Sequence, residues 1–154
     1  TYHASAVGEV NVVSMMKEKN AVIGGEGNGG VIYPTSHSGR DALVGVGLFL
    51  THYVSMGLKC SELLATYPKF VIEKDKLDLP ENGVDQALQA LIENHPEAKV
   101  NSIDGVKFDL DEGWVHLRRS NTEPIIRVYA ESDSADSAKI LAGRFKAELL
   151  SLLS

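Results

Sequence analysis

The sequence predicts two consecutive domains: an α/β domain over residues 1–66, and over residues 67–154 a small α+β domain whose antiparallel sheet carries helices on one face. Two observations lead to this prediction. Helix-like and strand-like segments alternate in the first part, whereas strands with period-2 patterning lie between two amphipathic helices in the second. The stretch 66–69, which contains a proline, separates the two patterns.

The first domain begins with a helix predicted over residues 9–18. Short strands are predicted at 21–23 and 31–33, on either side of the glycine-rich stretch 24–30. Segment 41–56 then keeps helical spacing, and because it is apolar nearly all round we expect a buried helix. A short helix follows, with Ser61 as its predicted N-cap.

The second domain starts with a predicted strand at 69–72, followed by an amphipathic helix that begins near Val84 and ends before Pro96. Period-2 alternation then predicts strands at 106–110, 114–117 and 126–130. A final helix carries its apolar side chains on one face: Ala138, Leu141, Ala142, Phe145, Leu149 and Leu152.

Composition excludes several classes of protein. The net charge of −6 disfavours a broad nucleic-acid-binding surface, and no apolar run approaches the roughly 20 residues of a membrane span. The single cysteine, Cys60, excludes an internal disulfide and favours a reducing cytoplasm. Neither Cys60 nor the histidines show metal-ligand spacing, so no metal site is predicted. Because the chain opens at Thr1 without a methionine, we expect a piece of a longer protein.

Residues 118–127 carry the strongest chemical signal. They lie between two predicted strands, so we expect a loop. Phosphate binding takes several convergent donors, and this segment offers hydroxyls, an amide and a guanidinium at each end. Residue types alone equally allow an ordinary polar connection with solvated arginines. The candidate anion ligands are Arg118, Ser120, Asn121, Thr122 and Arg127.

The glycine-rich stretch 24–30 is the second candidate. Glycines let a backbone approach a ligand closely, and Glu26 and Asn28 can hydrogen-bond sugar hydroxyls. The stretch lacks the Gly-Lys-Ser/Thr ending of a Walker loop and the spacing of a dinucleotide site. A flexible turn between two strands is the alternative. His37 and Arg40 can line the same cleft, although such loop residues are more often exposed or ion-paired.

Taken together, the two segments resemble the α-D-phosphohexomutase family, which includes phosphoglucomutases, phosphomannomutases and phosphoglucosamine mutases. The resemblance rests on stretch 24–30 and, about ninety residues later, on Arg-x-Ser-Asn-Thr-Glu-Pro-x-x-Arg at 118–127. Further matches are Val-Gly-Glu at 7–9 and Gly-Arg-Asp at 39–41. The resemblance covers essentially the whole chain.

Members of this family have four domains. The resemblance implies that residues 1–66 are the C-terminal part of domain 3, a partial three-layer αβα domain that binds the sugar through Glu26 and Asn28. It implies that residues 67–154 are domain 4, whose loop at 118–127 binds the non-transferred phosphate. Further candidates on the cleft wall are Glu9, His37 and Arg40.

One departure from the family lies in the sugar loop. The commonest bacterial form has Ser and His where Asn28 and Gly30 stand here. The present form looks more like the archaeal-type phosphoglucosamine or phosphomanno/glucomutase branch. The loss of the histidine removes one donor toward the sugar or the phosphate, and the preferred hexose stays open.

The resemblance also implies an activity for the complete protein. Hexose 1-phosphate and hexose 6-phosphate would be interconverted through an enzyme phosphoserine, Mg²⁺ and a hexose bisphosphate intermediate. The family's phosphoserine and metal loops belong to domains 1 and 2 and have no counterpart here, so we expect this chain to bind hexose phosphate but to be inactive alone. The alternatives are a stand-alone anion-binding or regulatory module, and a structural domain whose loop is merely polar.

Overall fold

The computed structural model describes residues 1–78, 82–120 and 122–153, which fold into two compact units, Thr1–Pro68 (unit 1) and Lys69–Ser154 (unit 2). The elements of unit 1 are α1 (Glu9–Lys19), β1 (Gly24–Gly25), β2 (Val31–Ile32), α2 (Ala42–Met56) and α3 (Cys60–Ala65). Those of unit 2 are β3 (Val71–Asp78), α4 (Val84–Asn94), β4 (Lys99–Asn101), β5 (Val106–Leu110), β6 (Gly113–Arg119), β7 (Ile125–Ser132) and α5 (Ala135–Leu152).

The glycine-rich stretch of unit 1 is itself part of a β-hairpin. Gly24 pairs with Ile32 and Gly25 with Val31 in antiparallel register. The strand predicted at 21–23 is therefore wrong, because pairing begins only at Gly24. The glycine matters here: a Cβ atom at position 24 would lie 2.1 Å from the Sδ atom of Met16. Without that atom, Met16, the buried residue of α1, packs directly on the strand.

Helix α2 forms where the sequence predicts it, but it is not buried. The Asp41 carboxylate caps its N-terminus by accepting hydrogen bonds from the backbone N–H groups of Leu43 and Val44. None of its residues is buried, and Leu43 and Val54 are 85% and 76% exposed. The prediction of a buried helix is wrong because, within the described part of unit 1, this helix packs mainly on β2 and α3.

The cap of α3 also differs from the prediction. The helix begins at Cys60, so Ser61 already lies inside its first turn and Lys59 occupies the N-cap position. The backbone N–H of Lys59 donates to the Glu62 carboxylate at 2.8 Å. A glutamate three residues into the helix thus accepts the backbone N–H of the N-cap residue, as in one half of a capping box.

The described strands of unit 2 form a five-stranded antiparallel sheet in the order β3-β7-β6-β5-β4. Strand β3 extends well beyond the predicted 69–72, and β4 was not predicted at all. Their sequences explain both differences. Strand β3 is mostly charged and has one buried residue, Leu77, while β4 is too short to show alternation.

Helices α4 and α5 cover one face of this sheet, which confirms the predicted α+β arrangement. Alternate residues of β5, β6 and β7 point toward the helices and are buried. Each large apolar side chain that is buried contributes about 1.5–3 kcal/mol. The fully buried large side chains of this core are Leu91, Phe108, Val115, Leu117, Ile126, Val128, Phe145 and Leu149.

The opposite face, which we call the open face, carries the alternate residues of the same strands. Among the described residues of unit 2, no helix packs on it. The register places Lys76 of β3 and Arg118 of β6 directly opposite Arg127 of the central strand β7. The remaining open-face residues of the four strands from β3 to β5 include Lys74, Lys107, Asp109, Trp114, His116, Tyr129 and Glu131.

A histidine connects α4 to α5 beside the core. The His95 ring stacks on Phe145, with ring centroids 4.5 Å apart, and its side chain is 13% exposed. Its Nδ1 lies 3.0 Å from a Glu97 carboxylate oxygen and its Nε2 lies 2.9 Å from one of Glu148. Burial opposes protonation of the ring, but the hydrogen bonds and charges of the two carboxylates outweigh it and raise the pKa of His95.

We expect unit 2 to lose stability as the pH rises above about 6.5, since His95 has an unfolded pKa of about 6.5 and a higher folded one. The contribution of the protonated ring is complete below the unfolded value and disappears as the pH passes through the folded value. Thermal unfolding followed by the fluorescence of Trp114, the single tryptophan, measures this loss. His95→Gln should remove it, and an unchanged pH slope in that variant would contradict the assignment.

Candidate functional site

The two arginines of segment 118–127 lie on strands rather than in a loop. Arg118 is in β6 and Arg127 is in β7, and they are directly opposite each other on the open face. The loop prediction is therefore wrong at Arg118, whereas Arg127 lies in the strand predicted at 126–130. The backbone N–H of Ser120 donates to the Ile125 carbonyl at 2.9 Å and closes the hairpin there. Only residues 120–124 connect the strands, and Asn121 lies outside the described residues.

The Ser120 hydroxyl contacts Arg127 and Thr122 through long hydrogen bonds. The Ser120 hydroxyl accepts from the Nη2 of Arg127 at 3.3 Å and from the backbone N–H of Thr122 at 3.4 Å. The Ser120 and Thr122 hydroxyls are also 3.4 Å apart. All three distances exceed the ordinary range of such bonds, so these groups can exchange partners at low cost.

Each arginine already has a carboxylate near it. The Nη1 of Arg118 binds Asp104 at 2.9 Å, and the Nη2 of Arg127 lies 3.3 Å from the Glu123 carboxylate. A hydrogen bond to the Tyr129 hydroxyl raises the pKa of Arg127, so this guanidinium is charged at any physiological pH. Its Nε is buried and has no hydrogen-bond partner among the described residues.

Asp104 was missed by the sequence analysis because it lies 14 residues before Arg118 in an unremarked turn. Gly105 brings that turn into place. It adopts a φ of +72°, and a Cβ atom there would lie 2.3 Å from the Leu117 carbonyl oxygen and 2.9 Å from the Cα of Arg118. The Asp-Gly pair was the available signal, since it indicates a tight turn but not what that turn contacts.

Unit 1 holds a separate polar cluster, centred on Arg40. Its backbone N–H and its Nε donate to the two carboxylate oxygens of Glu9 at 3.0 and 2.9 Å. Its Nη1 lies 3.3 Å from Glu26 Oε2, which is buried and makes no hydrogen bond of good geometry among the described residues. The contact with Glu26 is therefore one of charge only. The Arg40 guanidinium thus brings together three candidates that are far apart in sequence: Glu9, Glu26 and Arg40 itself.

Gly30 makes room for this arrangement. A Cβ atom at position 30 would lie 2.8 Å from the Cδ of Arg40 and 3.3 Å from Glu26 Oε2. The commonest bacterial form has a histidine at this position. Here the position is a glycine, and the side chain of Arg40 occupies the adjoining space. Asn28 serves the hairpin itself, because its side-chain oxygen accepts from the backbone N–H of Gly30 at 3.2 Å.

His37 joins the cluster indirectly. Its Nδ1 accepts from the backbone N–H of Gly39 at 3.1 Å, so Nε2 carries the proton and donates to Asp41 at 3.0 Å. The backbone N–H of Val44, followed by His37, lowers the pKa of Asp41. The backbone N–H of Arg40 is the largest cause that lowers the pKa of Glu9. Both carboxylates are therefore ionised at neutral pH.

The described part of the chain holds neither a cluster of metal-ligating side chains nor a helix that could span a membrane. Within residues 1–78, 82–120 and 122–153, no three His, Cys, Asp or Glu side chains are grouped so as to hold a metal ion. No described helix is long and apolar enough to cross a membrane.

Two family models match the chain. The model described as phosphoglucomutase/phosphomannomutase, alpha/beta/alpha domain III matches residues 1–70, and the one described as the C-terminal domain of the same proteins matches residues 76–148. Both units are thus of the class found in sugar-phosphate mutases. The chain belongs to the phosphoglucomutase/phosphomannomutase family, which confirms the resemblance found from the two motifs.

Proteins similar to this chain carry the names of sugar-phosphate mutases. A phosphoglucomutase/phosphomannomutase of Thermococcus kodakarensis is 37% identical over 136 residues, covering 86% of this chain and 29% of that protein. A phosphoglucosamine/phosphogalactosamine mutase of Sulfurisphaera tokodaii is 33% identical over 143 residues, covering 91% and 31%. The chain therefore spans about three tenths of the length of these relatives.

The fold is also that of a known crystal structure. A phosphoglucomutase/phosphomannomutase family protein from Burkholderia thailandensis matches with a TM-score of 0.71 and 24% sequence identity. The match covers 95% of this chain and 31% of that protein. At this identity the likeness shows the fold alone.

We expect Arg40→Ala to raise the pKa of Glu9 toward its ordinary value without restoring it fully. The substitution removes the side-chain hydrogen bond and the charge, while the backbone N–H of residue 40, the largest cause of the lowered pKa, still donates. Carbon NMR titration of the carboxyl groups measures the change. Arg119→Ala is the control, since Arg119 binds Asp85 in unit 2 and should leave Glu9 unaffected.

Proposed function

We propose that the chain is the substrate-holding part of a phosphohexomutase, in which unit 2 binds the phosphate group and unit 1 binds sugar hydroxyls of a hexose phosphate. The observation that carries the proposal is the pair of opposed arginines, Arg118 and Arg127, with the Ser120 and Thr122 hydroxyls beside them. Two guanidiniums and two hydroxyls supply the convergent donors that a phosphate dianion needs. We include Asn121 in the same set on the strength of the motif.

The weak internal contacts of this site support the proposal. The Arg127 guanidinium holds Ser120 and Glu123 at 3.3 Å each, longer than a strong charge-assisted bond. A phosphate oxygen offers a better acceptor than either of them. Binding would therefore exchange poor hydrogen bonds for good ones, at a site whose positive charge is already fixed by the sheet.

In unit 1, Glu26 is the proposed sugar ligand and Arg40 its positioning residue. Carboxylate oxygens accept hydrogen bonds from vicinal hydroxyls, and the charge of Arg40 keeps Glu26 at the edge of the hairpin. Asn28 is the second proposed sugar ligand, through its amide N–H groups, since its oxygen is engaged by Gly30. Glu9 and His37 act behind them, as supports of Arg40 and Asp41.

For the complete protein we propose the interconversion of hexose 1-phosphate and hexose 6-phosphate, through an enzyme phosphoserine and a bisphosphate intermediate. Such transfer depends mostly on positioning and on neutralising charge. This chain would supply the positioning, and domains 1 and 2 would supply the serine and the Mg²⁺ site. We further propose a cytoplasmic location, since the single cysteine suits a reducing compartment.

Titration of the chain with glucose 1-phosphate tests the phosphate site. We expect amide NMR shifts of Thr122 and its neighbours, and weaker binding in Arg118→Ala by ~1.5–3 kcal/mol, the usual worth of a hydrogen bond to a charged group. Arg119→Ala is the matched control, because this adjacent arginine binds Asp85 and points to the other face of the sheet. Equal losses in both variants, or no shifts near residue 122, would refute the proposed site.

We expect the chain alone to show no mutase turnover, even with Mg²⁺ and glucose 1,6-bisphosphate. In the proposed division of roles, the serine that carries the phosphoryl group and the Mg²⁺ site belong to domains 1 and 2. A coupled assay for glucose 6-phosphate formation from glucose 1-phosphate measures it. Turnover above that of the buffer would show that the chain carries its own catalytic groups and would overturn the division of roles proposed above.

A further inference from the structure

Three cations stand in a row across the open face of unit 2. Lys76, Arg127 and Arg118 occupy directly opposed positions on the neighbouring strands β3, β7 and β6. Side chains in such positions are about 4.5–5.5 Å apart at their Cβ atoms, and like charges there destabilise a sheet. An anion beside these three side chains would offset the repulsion between them.

The acidic residues nearby do not neutralise the whole row. Asp104 pairs with Arg118 and Glu123 with Arg127, so each carboxylate serves one of the two arginines. Lys76 is exposed, and no ion pair to it is found among the described residues. At the end of the sheet where segment 120–124 connects β6 and β7, two of the three cations are thus paired with carboxylates, and Lys76 is not.

Asp78 is exposed on the same face two residues beyond Lys76, and no ion pair of it is found among the described residues. The carboxylates farther along the open face are engaged elsewhere. Glu131 accepts a hydrogen bond from the indole N–H of Trp114 at 2.9 Å, and Asp109 pairs with Lys107 on its own strand. Asp75 follows the opposite phase of β3 and binds Lys146 of α5 at 2.7 Å, on the covered face. Among the described residues, Lys76 is therefore the cation of the row whose charge has no salt-bridge partner.

We propose that Lys76 is a third cation of the phosphate site, a binding residue that contacts the anion together with Arg118 and Arg127. This rests on the proposed function, which places a phosphate group beside Arg118 and Arg127. A phosphate monoester presents three terminal oxygens, and the ammonium of Lys76 on its flexible four-carbon stem can turn toward them. Neither motif contains Lys76, which lies about forty residues before Arg118.

The test is phosphate binding by the 154-residue chain at constant ionic strength, with inorganic phosphate as the probe and amide NMR shifts as the readout. Lys76→Gln should weaken binding about five- to tenfold, the loss expected for one partly exposed charged contact. Lys76→Arg should keep the affinity within about twofold because it keeps the charge.

Lys74→Gln is the matched control. Lys74 lies on the same strand and the same face, two residues farther from the connection, with its ammonium 5.6 Å from the centre of the Tyr129 ring. Loss of the Lys74 charge should weaken phosphate binding by less than about twofold, since it changes only the long-range electrostatic potential at the site, which salt screens. Equal effects of Lys74→Gln and Lys76→Gln would overturn the proposal, because they would indicate a general field rather than a contact.

A second readout separates binding from folding. Without phosphate, Lys76→Gln should unfold at the same temperature as the wild type or higher, because it relieves repulsion along the row. The rise in Tm on adding phosphate should be smaller than in the wild type. A variant that is less stable without phosphate and gains as much from phosphate as the wild type would contradict the inference.

The outcomes also distinguish this inference from the proposed function. If Arg118→Ala loses phosphate binding and Lys76→Gln does not, the role of Lys76 is wrong and the proposed function stands. If binding depends on Lys76 but glucose 1-phosphate binds no better than its phosphate alone and the complete protein shows no mutase activity, the anion site stands and the proposed function fails. No binding of phosphate at tens of millimolar would overturn the anion site itself.

Discussion

Burial of Leu117, Ile126 and Val128 beneath α5 is the constraint on which the candidate phosphate site depends. All three side chains are fully buried, and successive residues of a strand point to opposite faces. Arg118 and Arg127 must therefore point away from the helices. A slip of one residue in the pairing would bury both guanidiniums, at a desolvation cost of about several kcal/mol per ion. The apolar core thus fixes the geometry of the charged face.

The polar cluster of unit 1 depends on a single guanidinium instead. Arg40 contacts Glu9 at the start of α1 and Glu26 in the hairpin, so it joins segments that are separated by many residues in the sequence. Its own position follows from the backbone hydrogen bond to Glu9 and from the space left by Gly30. Here side-chain charge, rather than an apolar core, arranges the proposed sugar ligands.

Strong periodicity made most of unit 2 predictable. Strands β5, β6 and β7 and helices α4 and α5 bury alternate or helically spaced residues, and the sequence shows those periods directly. Strand β3 was underestimated because its charged residues follow no apolar pattern, although they pair along the whole of β7. Pairing with a partner strand is a tertiary effect that no local pattern contains.

The features that the sequence predicted wrongly or did not predict share one cause, which is their dependence on tertiary contacts. The burial of α2 was inferred from its own apolar residues, but burial needs a partner surface, and the described part of unit 1 supplies little of one. In the candidate site, the spacing of Arg118 and Arg127 could be predicted to bring them together because one hairpin connects them. Asp104 and Lys76 could not, since they reach the arginines through other strands and turns.

The two-sided sheet of unit 2 has a consequence for how proteins of this kind can diverge. Substitutions on the covered face alter packing around Phe145 and reduce stability, so few should persist. Substitutions on the open face leave that packing intact, and some remove repulsion between cations. Residues of the proposed anion site can therefore be exchanged one at a time during evolution, while the packing that stabilises the fold is kept.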